Sequence, residues 1–223
     1  MGFTLVEIAI VLVIIGLLLG GVLKGQELIN SAKVKNFAND FRNIPLFIYG
    51  YQDRFRALPG DDPAAATHVA GATTATTPTG TQGNGVINGS WDSVTNTDES
   101  FLFWQHVRLA NFASGPTNVA DADYRPRNAD GGFIGIEAGS AAAPYIAAMT
   151  GGSYVVCSSG ILGRFAMQLD QQVDDGNTFT GSMRAVPNGS ARGAAAHCTV
   201  AGTPAACATA VDPAASYTVC MAF

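Results

Sequence analysis

Apolar and polar positions divide this chain into three zones. Residues 3–23 form a 21-residue run in which Glu7 is the only ionisable side chain. As a helix this run spans about 31 Å at 1.5 Å per residue, enough to cross a bilayer core. Beyond Lys24 the pattern becomes periodic. Val34, Phe37, Phe41, Ile44, Ile48, Tyr51 and Phe55 recur at steps of three and four, with Lys33, Lys35, Asn36, Asn39, Asp40, Arg42, Asn43 and Gln52 between them. That spacing predicts an amphipathic helix with one apolar stripe. The two segments read as one helix of roughly 50 residues, ending near Ala57-Leu58-Pro59-Gly60, a proline-glycine stop. Pro45 is expected to kink it, because a mid-helix proline removes a backbone bond and crowds the preceding turn. Gly16, Gly20, Gly21 and Gly25 disfavour helix by about 1 kcal/mol each against alanine, so loosening is expected there.

From residue 58 onward lysine disappears and Gly, Ala, Thr, Asn and Ser dominate. Residues 65–85, rich in threonine, read as a long surface loop. Residues 83–89 (Gly-Asn-Gly-Val-Ile-Asn-Gly) read as tight turns around a short strand. Residues 99–111 and 162–173 read as short helices, the second stopped by Asp174-Asp175-Gly176. Residues 133–136, 153–157 and 217–223 read as strands. Helices and strands without strict βαβ alternation predict an α+β head.

A lone carboxylate in an apolar span costs roughly 2.5–3.5 kcal/mol near the helix centre, so Glu7 calls for a partner. The string Gly2-Phe3-Thr4-Leu5-Val6-Glu7, followed by the apolar run, resembles the class III signal of type IV pilins and pseudopilins. The resemblance implies cleavage between Gly2 and Phe3 by a prepilin peptidase, methylation of the new amine on Phe3, and contact of Glu7 with the N-terminus of a neighbouring subunit. It also implies an α+β pilin-like fold: a long N-terminal helix packed on a globular head with an antiparallel sheet. The segments are then a leader remnant (1–2), a transmembrane and filament-core helix (3–26), its amphipathic half (27–57) and the head (58–223). Three islands in the head, residues 58–61, 103–109 and 169–176, are similar to segments of long-headed proteobacterial prepilin-type proteins. Pilin leaders carry Lys or Arg before the glycine. Here Lys24, Lys33 and Lys35 lie beyond the span instead, so a longer native leader is expected.

The implied role is a structural subunit of a type IV pilus-like filament. Its partners would be identical subunits, the prepilin peptidase, inner-membrane pilus or secretion machinery, and the membrane before assembly. The head would lie in the periplasm first and outside the cell after assembly. The alternatives are a pseudopilin of a type II secretion system and a membrane-anchored binding protein that never polymerises. An ordinary secretory signal would have a shorter apolar region and an Ala-x-Ala-like site.

Cys157, Cys198, Cys207 and Cys220 allow three pairings. In an oxidising compartment the preferred pairing is Cys198–Cys207, closing a small loop, with Cys157–Cys220 joining two strands. A zinc site competes, but no Cys-x-x-Cys is present and only His197 adjoins a cysteine. His68, His106 and His197 fall in no catalytic string, and neither a phosphate-binding Gly-x-x-x-x-Gly-Lys nor a Gly-x-Ser-x-Gly turn occurs. No enzyme activity and no cofactor are expected. Asp61-Asp62 and Asp170, Asp174 and Asp175 are candidate calcium ligands, since hard cations want clustered oxygens. No Asp-x-Asp-x-Asp-Gly loop occurs and the spacing of the calcium site in some pseudopilins is not reproduced, so helix capping and solvation are the preferred roles. Asn88-Gly89-Ser90 and Asn188-Gly189-Ser190 fit the glycosylation triplet, yet Asn-Gly is also a turn pair, which is preferred. The 12 basic and 17 acidic residues give a net charge of −5, and Arg125-Pro126-Arg127 is the only tight basic pair in the head. Nucleic-acid binding needs a clustered positive face, so none is expected.

Overall fold

The computed structural model describes residues 4–139, 144–147, 149 and 152–223. Helix α1 spans Leu5–Phe55, 51 residues without a break. It passes through Pro45, which is buried in the apolar stripe, and through the four glycines. It ends at Arg56, whose left-handed backbone (φ 57°) directs its N–H to the Gln52 carbonyl at 2.9 Å. The stop therefore precedes Pro59-Gly60 by about one turn.

The short helix α2 spans Ala65–His68, α3 spans Glu99–Leu109 and α4 spans Gly163–Val173. Strands β1 (Ile134–Ala138), β2 (Tyr154–Leu162), β3 (Met183–Pro187) and β4 (Ser216–Ala222) form one sheet in the order β1-β2-β4-β3, every pair antiparallel. The fold is thus α+β: a long, partly apolar helix against a head with a four-stranded antiparallel sheet.

Helices α1, α3 and α4 cover one face of this sheet. The α1 stripe of Val34, Phe37, Phe41, Ile44 and Ile48 packs with Phe101, Phe103 and Trp104 of α3, Phe165 and Leu169 of α4, and Val156, Ile161, Tyr217 and Val219 of the sheet. Burying each such side chain contributes about 1.5–3 kcal/mol. The pleat sends alternate residues through to the other face. There Val155, Cys157, Val186 and Cys220 meet Trp91, Tyr145 and Ile146. Both faces being covered, β1 is buried at all five positions.

Three expectations need correction. The strand expected within residues 83–89 does not form, because Gly83, Asn84 and Gly85 turn their N–H groups onto Asp61. The threonine-rich segment 65–85 is not simply a surface loop. Ala65, Val69, Ala72 and Ala75 are buried, and Thr73, Thr76 and Thr77 are tied by backbone N–H bonds to Gln105 and Thr97. Strand β3 appears where no strand was expected. It is held by β4, the Arg184–Cys220 and Val186–Thr218 positions lying opposite each other.

Candidate functional site

The N-terminal half of α1 is the first feature with functional content. From Leu5 to Leu23 every side chain is exposed, among them at least 14 large apolar ones. The helix is long and apolar enough to cross a membrane, and its most apolar stretch touches nothing else in the chain. Left in water, these residues would forgo on the order of 20 kcal/mol at the low end of the burial scale, more than the net stability of a typical domain. Such a stretch is compatible with anchoring in a membrane.

The helix begins with a capping box. Thr4 is the N-cap, its hydroxyl accepts the Glu7 N–H at 3.3 Å, and the Glu7 carboxylate takes the Thr4 N–H at 2.8 Å. The reciprocal bonds satisfy donors that a helix start otherwise leaves open. Glu7 therefore has a partner within its own first turn. Gly2 and Phe3, the expected cleavage and methylation positions, lie outside the described residues. Lys24 pairs with Glu27 at 2.7 Å where α1 leaves the apolar run, and Lys33 reaches Asp130 of the head at 2.6 Å.

At the far end of α1 the sequence Leu58-Pro59-Gly60-Asp61-Asp62 folds against α3. Both aspartates are buried. Asp61 receives N–H bonds from Gly83 (2.6 Å), Asn84 (3.2 Å) and Gly85 (2.8 Å). Burial pushes its carboxyl upward and these donors oppose that shift. Asp62 Oδ2 accepts the Tyr51 hydroxyl at 2.8 Å and lies 2.7 Å from His68 Nδ1, while Oδ1 accepts the Ala64 N–H at 2.9 Å. These bonds tie the end of α1, the 58–64 segment and the 83–85 turn together. The solvated role preferred for this pair does not hold, since both side chains are buried and hydrogen-bonded within the protein. A cavity of about 390 Å³ opens beside them, lined by Phe55, Arg56, Leu58 and His68 among others.

His106 is wholly buried. Its Nδ1 accepts the Gly60 N–H at 2.9 Å, so Nε2 carries the proton and donates to the Thr73 carbonyl at 2.8 Å. Burial lowers its pKa, and the imidazole stays neutral as a strut between three segments. Gly60 is required at that contact: its φ is +92°, and a Cβ there would sit 2.3 Å from the Glu99 carbonyl.

Both disulfides form as preferred. Cys157–Cys220 joins directly opposed residues of β2 and β4, and Cys198–Cys207 closes a loop with a sequence separation of 9. His197 consequently neighbours a bridged sulfur; its Nδ1 lies 3.4 Å from the Tyr217 hydroxyl. Arg125 and Arg127 stack over the Phe133 ring at 3.6 and 4.4 Å and donate to backbone carbonyls of Asp92 and Gly131. Asn88 and Asn188 are held by hydrogen bonds to Glu99 and Thr218, and each is followed by a glycine with positive φ; residues 188–189 form the turn expected, whereas 88–89 only bend.

Asp170, Asp174 and Asp175 do come together. One carboxylate oxygen of each lies within 4.8 Å of the others, at the junction of α4 and the loop that follows. Asp170 is fully buried rather than solvated. Its Oδ1 accepts the Gly176 N–H at 2.7 Å, whereas Oδ2 has no partner. Burial, with the charges of Asp175 and Asp174 adding to it, raises its pKa to about 7.

Glu137 was not singled out by its sequence context. It is buried on β1, takes both terminal nitrogens of Arg192 at 2.9 and 3.1 Å, and accepts the N–H groups of Trp91 and Tyr145. The partners lie 55 residues apart, and no local pattern links them. Compared with known proteins, the chain matches no family model, no curated protein and no solved structure.

Proposed function

We propose that this chain is a structural subunit of a type IV pilus-like filament, anchored in a membrane before assembly and polymerised through α1. One observation carries this reading. A single unbroken helix has its C-terminal half built into the head core and its N-terminal half bare, apolar and marked by one glutamate near its start. In a bilayer, lipid covers the bare half. In a filament, equivalent helices cover it. Moving from lipid to protein gains little from the hydrophobic effect itself, so packing, polar pairing and the assembly machinery must drive the step. Glu7 against the amine of Phe3 on an adjoining copy would supply the polar pairing and set axial register.

Two measurements test the reading. N-terminal mass spectrometry of the mature protein should show methylated Phe3, and electron microscopy of material sheared from cells should show filaments containing this chain. An unprocessed N-terminus with no filaments would sink it. A short periplasmic pseudopilus would leave processing intact but give no surface filament.

A non-polymerising tether is the second reading, and the Thr4–Glu7 box favours it. With its carboxylate already bonded within the first turn, Glu7 has a function that needs no second subunit.

A further inference from the structure

The acid cluster at the end of α4 is an arrangement that protein groups alone leave incomplete. Helix α4 stops at Val173, and the next nine residues, 174–182, loop back before β3. Asp170 comes from the last turn of the helix, Asp174 from its C-cap and Asp175 from the loop. Around the rim the loop fixes the other two carboxylates. The Met183 N–H donates to Asp174 Oδ2 at 2.8 Å, the Asn177 N–H to Asp175 Oδ1 at 2.8 Å, and the Thr180 hydroxyl to Asp175 Oδ2 at 2.6 Å. Gly181, at φ +68°, leaves the room Asp174 needs: a Cβ there would lie 2.0 Å from Oδ2. Among the described residues none of the three carboxylates is ion-paired. At the centre, Asp170 Oδ2 is shielded from water and receives no hydrogen bond. A buried carboxylate oxygen without a donor or counter-charge is costly, and two further carboxylates beside it raise that cost.

We propose that Asp170, Asp174 and Asp175 hold a calcium ion, which clamps the α4–β3 loop to the end of α4. The chemistry is that of a hard cation: three carboxylates, with waters completing the shell. The donor set favours calcium over magnesium. Calcium takes several protein carboxylates in flexible geometry, whereas magnesium demands near-ideal octahedral geometry, keeps most of its waters and is seldom held by protein groups alone. The unpartnered Asp170 oxygen would become a ligand, and the mutual repulsion of the cluster would become the source of affinity. Methionine 183, whose N–H holds Asp174, begins β3, so the ion would also fix where that edge strand starts. This inference is independent of how α1 is used.

The test is a calcium titration of the full-length protein in detergent micelles at pH 7.5, after chelator treatment and its removal. Calorimetry should give one calcium per chain with a Kd of about 10⁻⁵–10⁻³ M. The melting temperature, followed by Trp91 and Trp104 fluorescence, should rise by several degrees in 5 mM calcium chloride and much less in magnesium chloride. Asp170→Asn should lower the affinity at least tenfold while melting no lower than the calcium-free parent. Should that buried variant fail to fold, Asp175→Asn, at an exposed position, should show the same loss. No calcium-dependent shift, equal binding of magnesium, or undiminished affinity in the folded variants would overturn the assignment.

Discussion

Thr4 and Glu7 bind each other across the first turn of α1: the Thr4 N–H and hydroxyl both donate to the same Glu7 oxygen, at 2.8 and 2.7 Å. Helix capping and subunit pairing are therefore two separable uses of one carboxylate. Glutamine at the third position can also complete a capping box, but it carries no charge.

Glu7→Gln consequently distinguishes them. If attraction to a neighbouring amine drives assembly, Glu7→Gln and Glu7→Ala should both be processed normally and both lose at least tenfold in filament yield. Wild-type yield from Glu7→Gln would assign the residue to capping alone. Shearing followed by quantitative immunoblotting reads the outcome.

The two disulfides should differ in worth. By loop-closure entropy, the Cys157–Cys220 bridge, with a sequence separation of 63, is worth about 4 kcal/mol, and the Cys198–Cys207 bridge, with a separation of 9, about 3 kcal/mol. The first also sits in the packed face with Trp91 and Tyr145, so removing it disturbs core packing. Paired Cys→Ala variants unfolded by denaturant and followed by tryptophan fluorescence should keep that ranking. Equal losses would show that loop length does not control the effect.

The Tyr51–Asp62 hydrogen bond ties the end of α1 to the segment that follows it. Tyr51→Phe deletes one donor and should cost about 1 kcal/mol. Asp62→Ala leaves the Tyr51 hydroxyl and the Ala64 N–H without their acceptor in a buried site and should cost about 3 kcal/mol. Equilibrium unfolding of both variants checks the order. A smaller loss for Asp62→Ala than for Tyr51→Phe would contradict the accounting.

Asp40 predicts a pH dependence. It faces a cleft with Trp104, Arg108 and Arg127, and burial raises its pKa to about 6 from 3.8. A carboxyl whose folded pKa is raised binds its proton more tightly in the native state. Its contribution is then favourable below about pH 4 and declines as pH rises through 6. After allowance for solvent screening, the cost of the ionised form is about 1 kcal/mol. Asp40→Asn should be more stable than wild type at pH 7.5, and the difference should shrink toward pH 4. A constant difference across that range would show that Asp40 ionises without penalty.

The parts of this fold that were readable from the chain are those whose signal is local. The three-and-four spacing from Val34 to Phe55 gave the head half of α1, and the short helices and three of the strands followed from runs of apolar or β-branched residues. What escaped was carried by distant partners. Met183–Pro187 is short and includes Arg184 and Pro187, so only its pairing with β4 makes it a strand. The Gly-Asn-Gly turn looked like one of two turns around a short strand because the carboxylate it wraps, Asp61, lies 22 residues earlier. Small buried residues also misled: Ala65, Val69 and Ala72 keep helical spacing and fill the space beside Tyr51, yet the threonines around them suggested solvent. Within the acid cluster the three residues were visible as candidates. Burial of Asp170, which changes what the cluster can do, depends on packing and was not.

Sharing α1 between a bare apolar half and the head has a mechanical outcome. No slack tether separates the two, since the same rod runs from Leu5 to Phe55. Tension applied at the apolar end would therefore arrive as shear along the row where Phe37 and Phe41 meet α3 and α4. Sliding that row would require many contacts to yield together, so the head should resist a pull along the rod better than one that peels it away sideways.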